Sequence, residues 1–197
     1  MKKIFLACIA LVSLSCLLMS YDIPKGWIRA GSSPESYDMG TDPGSGMKGG
    51  NAATIKSTEP HIKGFGTLMQ NFDATEYRGK RIRLSGYVKA KEVKLWAGLW
   101  LRIDGKDYDG KRKTTAFDNM FNRAIIGTKD WTKCEIVLDV SQDATNIAFG
   151  ALMDGNGQIW FDGLKIEEVS KDVPTTASGN IDSTGKSKRP TNLDFKE

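Results

Sequence analysis

The stretch Gln158–Val169, QIWFDGLKIEEV, decides the fold class. Its apolar residues alternate with polar ones, as on a strand with one buried face. A glycine–acid turn, DGNG at 154–157, precedes it. Working backwards, the same texture repeats in short bursts. TNIAFGALM at 145–153, CEIVLDV at 134–140, KLWAGLWLRID at 94–104 and KRIRLSGYVKA at 80–90 all read as strands. GTLMQNF at 66–72 and AATIKS at 52–57 add two earlier ones. In the 80–90 segment Ile82, Leu84, Gly86 and Val88 face one way, and Arg81, Arg83, Tyr87 and Lys89 the other. No amphipathic helix of ten or more residues interrupts the series. Many short strands punctuated by Gly and Asp/Asn turns predict an all-β, antiparallel β-sandwich of jelly-roll type.

The ends of the chain have another character. Lys2 and Lys3 precede an apolar run, Ile4–Met19, which falls short of the ~20 residues of a membrane-spanning helix. Residues 1–20 therefore read as a secretory signal, which predicts an exported protein, periplasmic or at the cell surface. Cys16 stands where a lipoprotein cysteine would, although Ser13 occupies the place expected for Leu. Cleavage after Ser20 competes with lipidation there. An acylated Cys16 would make a lipid anchor the sole membrane contact. The sandwich is expected over 21–169. Residues 170–197 read as a flexible polar tail that ends in the apolar segment Asn192–Phe195, NLDF. Such a segment is expected to be either the start of a second module or a strand that adds to a sheet edge, as in self-association.

Composition narrows the function. The formal charge of +4 falls to +2 once Lys2 and Lys3 leave with the signal, which is too little to argue for nucleic acid. The basic run from Arg78 to Lys94 is interleaved by one aromatic, Tyr87, and reads as a solvated strand face. Cys8 and Cys16 belong to the signal, so Cys134 has no partner for an intrachain disulfide. It falls in register with Ile136, Leu138 and Val140, as a core thiol does. His61 is the single histidine, so HExxH and His-rich metal sites are absent. No G-x-S-x-G elbow occurs. Ser45–Lys48 (S-x-x-K) and Gly44–Gly49 (G-x-G-x-x-G) lack the flanking elements that would give them meaning. No enzyme is predicted.

Several segments together resemble a known family. They are the Gly26-Trp27 entry, GGNAATIKS, YRGKRIRLSGYVKA, DWTKCEIVLDV and QIWFDGLKIEEV. In that order they resemble the galactose-binding-like jelly rolls of carbohydrate-binding modules, over roughly residues 26–169. GFGTLMQ at 64–70, WAGLWLR at 96–102, FDNM at 117–120 and the GT-x-DW of 127–131 are similar to those of a bacterial group found with transcription regulators and larger exported proteins. The resemblance implies a binding module without catalytic residues, with a carbohydrate partner most in keeping. It also implies that Asp162 could help hold a structural calcium, with no other cofactor expected.

The candidate site starts on the 94–104 strand. Alternation places Ala97, Leu99, Leu101 and Ile103 on one face and Trp96, Gly98, Trp100, Arg102 and Asp104 on the other. Two indoles and a guanidinium on an exposed face would stack on a sugar and bond to its hydroxyls. The competing reading makes the same indoles core, and alternation leaves that choice open. The connection from Tyr108 to Lys129 reads as a long loop, in which Asp118, Asn119 and Arg123, with Trp131 beyond, offer polar and aromatic groups to a ligand. An interaction module and a sensory domain stand as alternatives to carbohydrate binding.

Overall fold

The computed structural model describes residues 20–177; the expected leader with Cys16 and the terminal Asn192–Phe195 segment lie outside them. Nine strands follow in order: β1 (Ile28–Gly31), β2 (Tyr37–Asp42), β3 (Ala52–Ser57), β4 (Phe65–Asp73), β5 (Arg81–Lys106), β6 (Arg112–Asp118), β7 (Ile125–Asp139), β8 (Asn146–Asp154) and β9 (Gln158–Val169). Every pairing is antiparallel. Three short 3-10 turns complete the set, and among the described residues there is no α-helix.

The architecture turns on β5, whose 26 residues belong to both layers. Its first part, Arg81–Lys91, pairs with β7 on one side and β9 on the other, and β3 and β2 extend that leaf beyond β9. Its second part, Trp96–Lys106, pairs with β8 and β6, and β4 and β1 extend the other leaf beyond β8. Between the two parts the register against β7 shifts repeatedly, and Glu92 takes φ 54. Bulges of this kind bend a strand and sharpen its twist, which lets one strand cross from leaf to leaf.

The inward faces meet in one core. Leu84 and Val88 of the first leaf, Leu99 and Leu101 of the second, and Ile55, Ile136, Ile147 and Ile159 are all fully buried. Trp27 closes one end, its ring 5.8 Å from Phe149 and 5.7 Å from Phe161, and so touches both leaves. Cys134 is buried as its register predicts, and burial pushes its thiol up to about 11.

Three expectations need correction. The 80–90 and 94–104 strands are one element. The loop expected from Tyr108 to Lys129 is mostly sheet: β6 fills 112–118 and β7 begins at Ile125, with a 3-10 turn at Phe121–Arg123 between them. Their polar sequences hid them because β6 is an edge strand and the first half of β7 is largely exposed. The polar tail also begins as a docked segment. Thr176 N–H donates to Val137 O at 2.9 Å, and Arg81 Nη1 donates to the carbonyls of Lys171 and Val173, both at 2.6 Å.

Candidate functional site

The outer face of the second leaf carries a groove of about 390 Å³. β5 supplies Trp96, Trp100 and Arg102, from the face that alternation assigns them. Phe117 joins because it pairs with Arg102 across β6. β8 contributes Leu152, and β4 contributes Phe65, Thr67 and Met69, every second residue of its strand. Asn119 and the Ala30–Gly31 end of β1 complete the wall.

The indoles do not form an open platform. Trp100 is 5% exposed and packs with Ala148 and Leu152 as the floor. Its Nε1 donates to Thr67 Oγ1 at 2.8 Å, and Thr67 Oγ1 donates in turn to Ala151 O at 2.7 Å. Trp96, half-buried, stands as a side wall with Phe121 edge-on to it, ring centroids 5.5 Å apart. One indole is packed into the floor and the other is half-buried at the groove wall. Arg102 is held by Asp104, its Nε and Nη2 lying 3.2 and 3.0 Å from Oδ2. Asp104 is fully buried and also accepts from Thr114 Oγ1 and Asn146 Nδ2. The guanidinium is thereby set in one orientation; among the described residues its Nη1 has no hydrogen-bond partner, which leaves that corner for a ligand acceptor.

The polar cluster expected at 117–131 divides. Asn119 lines the groove, and its Oδ1 caps the turn by accepting the Phe121 N–H at 3.2 Å. Asp118 and Arg123 do not line it. Asp118 pairs in register with Leu101 and so points between the leaves, 2% exposed. There it accepts from Arg123 Nη2 at 2.7 Å, Thr176 Oγ1 at 2.6 Å and the Met120 N–H at 2.8 Å. This pair anchors the turn and the docked 170–177 segment. Trp131 lies on β7 between Thr132, which faces Val88, and Lys129, which faces Ala90, and so belongs to the other leaf. Trp160 is there too; its Nε1 donates to Asp42 Oδ2 at 2.7 Å.

The Asp162 carboxylate accepts two backbone donors, its Oδ2 the Met47 N–H at 3.1 Å and its Oδ1 the Gly163 N–H at 2.6 Å. No three His, Cys, Asp or Glu side chains gather in a metal-binding group among the described residues.

The sequence reading missed the contribution of β4. Its signal lay in the alternation of Phe65, Thr67 and Met69 against the buried Gly66 and Leu68. What was not visible is that β4 lies one strand beyond β8, within reach of the β5 indoles.

No family model matches the chain. The chain is 41% identical over 175 residues to YbfP, an uncharacterized HTH-type transcriptional regulator of Bacillus subtilis strain 168; the match covers 88% of this chain and 57% of that protein. The chain thus spans little more than half the length of that relative. Among solved structures it is similar to the CBM22-1 xylan-binding domain of Paenibacillus barcinonensis Xyn10C. The TM-score is 0.53 at 16% identity, over 75% of this chain and 88% of that one. The CBM22-1–GH10 modules of Clostridium thermocellum Xyn10B, complexed with xylohexaose, give 0.54 at 14% identity, over 80% and 30%. At such identities the shared property is the fold. The strand layout and these likenesses agree: the chain has the galactose-binding-like β-sandwich fold of carbohydrate-binding modules.

Proposed function

We propose that this chain is an exported, non-catalytic carbohydrate-binding module that takes a neutral saccharide in the groove between Trp96, Arg102, Asn119 and Phe117. The observation that carries the reading is the pairing of an apolar, aromatic floor and walls with a few fixed polar groups, the composition of a small-ligand site. Trp96 offers a ring for the CH face of a sugar. Arg102 and Asn119 offer bonds to its hydroxyls. The fold supports the class of ligand, and the Lys2-Lys3 leader supports export to the cell envelope, with Cys16 as lipid anchor. The test is a glycan array with the full chain and a Trp96→Ala variant. Selective binding that the variant loses supports the reading; a blank array from folded protein overturns it.

A second reading rests on the relative. A chain 41% identical to much of a transcriptional regulator can serve as a sensory part, with the same groove holding the signal. Deleting the gene then alters a transcriptional response to the bound saccharide, whereas a purely adhesive module leaves transcription unchanged.

A further inference from the structure

The other leaf carries a second cleft, of about 250 Å³, where three strands come together. β3 ends there with Lys56, β9 begins there with Gln158, and β5 passes at Lys91, Glu92 and Lys94 on its way between the leaves. Lys56 and Lys91 each pair with Gln158 in register, from opposite sides. Neighbouring strands are ~4.8 Å apart, so the two lysines flank Gln158 on one outward face. Lys94 adds a third ammonium to the lining, against the single carboxylate of Glu92.

Two observations mark the cleft as more than a solvated edge. Its backbone is tightly determined at unusual conformations. Glu92 sits at φ 54 with its N–H donated to Thr128 Oγ1 at 3.0 Å. A Cβ on Gly157, at φ 140, would come within 2.7 Å of Val93 Cα. Strained positions of this kind persist where the surroundings over-determine them. The charges are also uncompensated. Lys80 and Lys133, on the same leaf, hold carboxylates at 2.9 and 2.7 Å, whereas among the described residues Lys56, Lys91 and Lys94 have none within 4.0 Å. Like charges flanking one strand repel, and a bound anion would relieve that repulsion.

We infer that this cleft binds the oxyanion group, carboxylate or phosphate, of an acidic glycan. The volume admits one such group with its sugar and is too small for a duplex. Gln158 Nε2 donates to Thr54 Oγ1 at 3.2 Å and to Tyr21 Oη at 3.4 Å, which turns the amide away and leaves the space beside the lysines. Ser57 Oγ accepts the Gly157 N–H at 3.1 Å, leaving its own proton for a ligand oxygen. One register step away Lys89 lies 5.6 Å over the Trp160 ring, which continues the cationic and aromatic surface along a polymer. The site lies on the leaf opposite the groove, and it rests on the carbohydrate reading only for the nature of the chain that bears the anion.

The test is calorimetric titration of the full chain with an oligogalacturonate and with a phosphomannan oligosaccharide, in low and in physiological salt. Binding of one of them is expected, weakened by salt. Lys56→Gln/Lys91→Gln is expected to weaken it at least about tenfold, the scale of losing charge-assisted bonds. Lys111→Gln/Lys113→Gln, which removes the same charge from a distant hairpin, leaves it unchanged. Which polymer binds tells carboxylate from phosphate. Equal losses in the two double-lysine variants, or no binding of either polymer, overturn the inference. Polyanion binding by a protein whose neutral glycan array is blank removes the groove proposal and leaves this one standing.

Discussion

Trp100 and Thr67 are joined across an intervening strand: the indole N–H of one donates to the hydroxyl oxygen of the other at 2.8 Å, reaching over β8 from β5 to β4. That bond, with the onward bond from Thr67 to Ala151 O, fixes the groove floor. It also separates the two tryptophans as experimental probes. Trp100→Ala removes a buried aromatic and should cost about 3–5 kcal/mol. Trp100→Phe keeps most of the apolar contact and loses the donor, for about 1 kcal/mol. Trp96→Ala, at a half-buried wall, should cost less than Trp100→Ala. Urea unfolding of the three variants checks the order, and it decides which of them can be used in a binding assay without loss of fold.

The docked segment after β9 makes its own prediction. Thr176 Oγ1 donates to Asp118 Oδ2 at 2.6 Å and lies 2.9 Å from the Val137 N–H, from which it accepts. Thr176→Val keeps the shape and removes both bonds, so a buried carboxylate loses a donor. The expected cost is about 1–3 kcal/mol. Asp118→Ala should cost more, because Arg123 Nη2, Thr176 Oγ1 and the Met120 N–H all lose their acceptor. Thermal unfolding of both variants checks this. Glycan binding in the groove should survive Thr176→Val, since Thr176 does not line it.

How much of this was legible in the sequence follows from exposure. Strands with one buried and one open face, such as the first part of β5, announce themselves by alternation. Residues 91–93 looked like a break between two strands because the charges of Lys91 and Glu92 interrupt the pattern; they are instead the bend by which one strand changes leaf. β6 has little buried surface to pattern it, so it read as loop. Alternation put Trp96, Trp100 and Arg102 on one face correctly. It could not show that Leu152 and Met69 would cover Trp100, because that depends on β8 lying beside β5 and β4 beyond β8 in the strand order. For the same reason Asp118 read as a ligand group: its inward direction follows from pairing with Leu101, which the sequence does not show.

Acid should weaken the fold slightly through two carboxylates in ion pairs on the first leaf. The Arg81 guanidinium, with Lys171 beside it, holds Asp139 at about 2, down from 3.8. Lys165 and Arg83 hold Glu167 at about 2, down from 4.5. Both folded values lie below the unfolded ones, so the unfolded chain binds more protons as the pH falls. The stabilisation is present above about pH 4.5 and is lost as the pH falls towards 2. Both pairs are open to water, so the contribution is small and salt-sensitive. Urea midpoints from pH 2 to 7 should be flat at the upper end and fall at the lower. Asp139→Asn should lower the plateau slightly and make the acid limb shallower.

The groove's end wall depends on a glycine. Met120 takes φ 60 and lays its side chain on the sheet, where a Cβ on Gly98 would come within 3.1 Å of Met120 Cβ and 3.5 Å of Asn119 O. Gly98 is therefore the seat on which the Asn119–Met120 turn rests, and the position of Asn119 against the ligand follows from it. Gly98→Ala requires the turn to lift by a few tenths of an ångström, a small perturbation. Gly98→Val requires more, and the turn must leave the sheet or distort the strand beneath it. The expected result is a graded loss of saccharide affinity, slight for Gly98→Ala and large for Gly98→Val. Asn119→Ala, which removes the amide but keeps the turn's seat, should fall between them. Titration of each variant with whichever saccharide the array selects measures the series. Equal affinity of Gly98→Val and the parent protein would mean that the turn takes no part in holding the ligand, and the site would contract to the floor between Trp96 and Arg102.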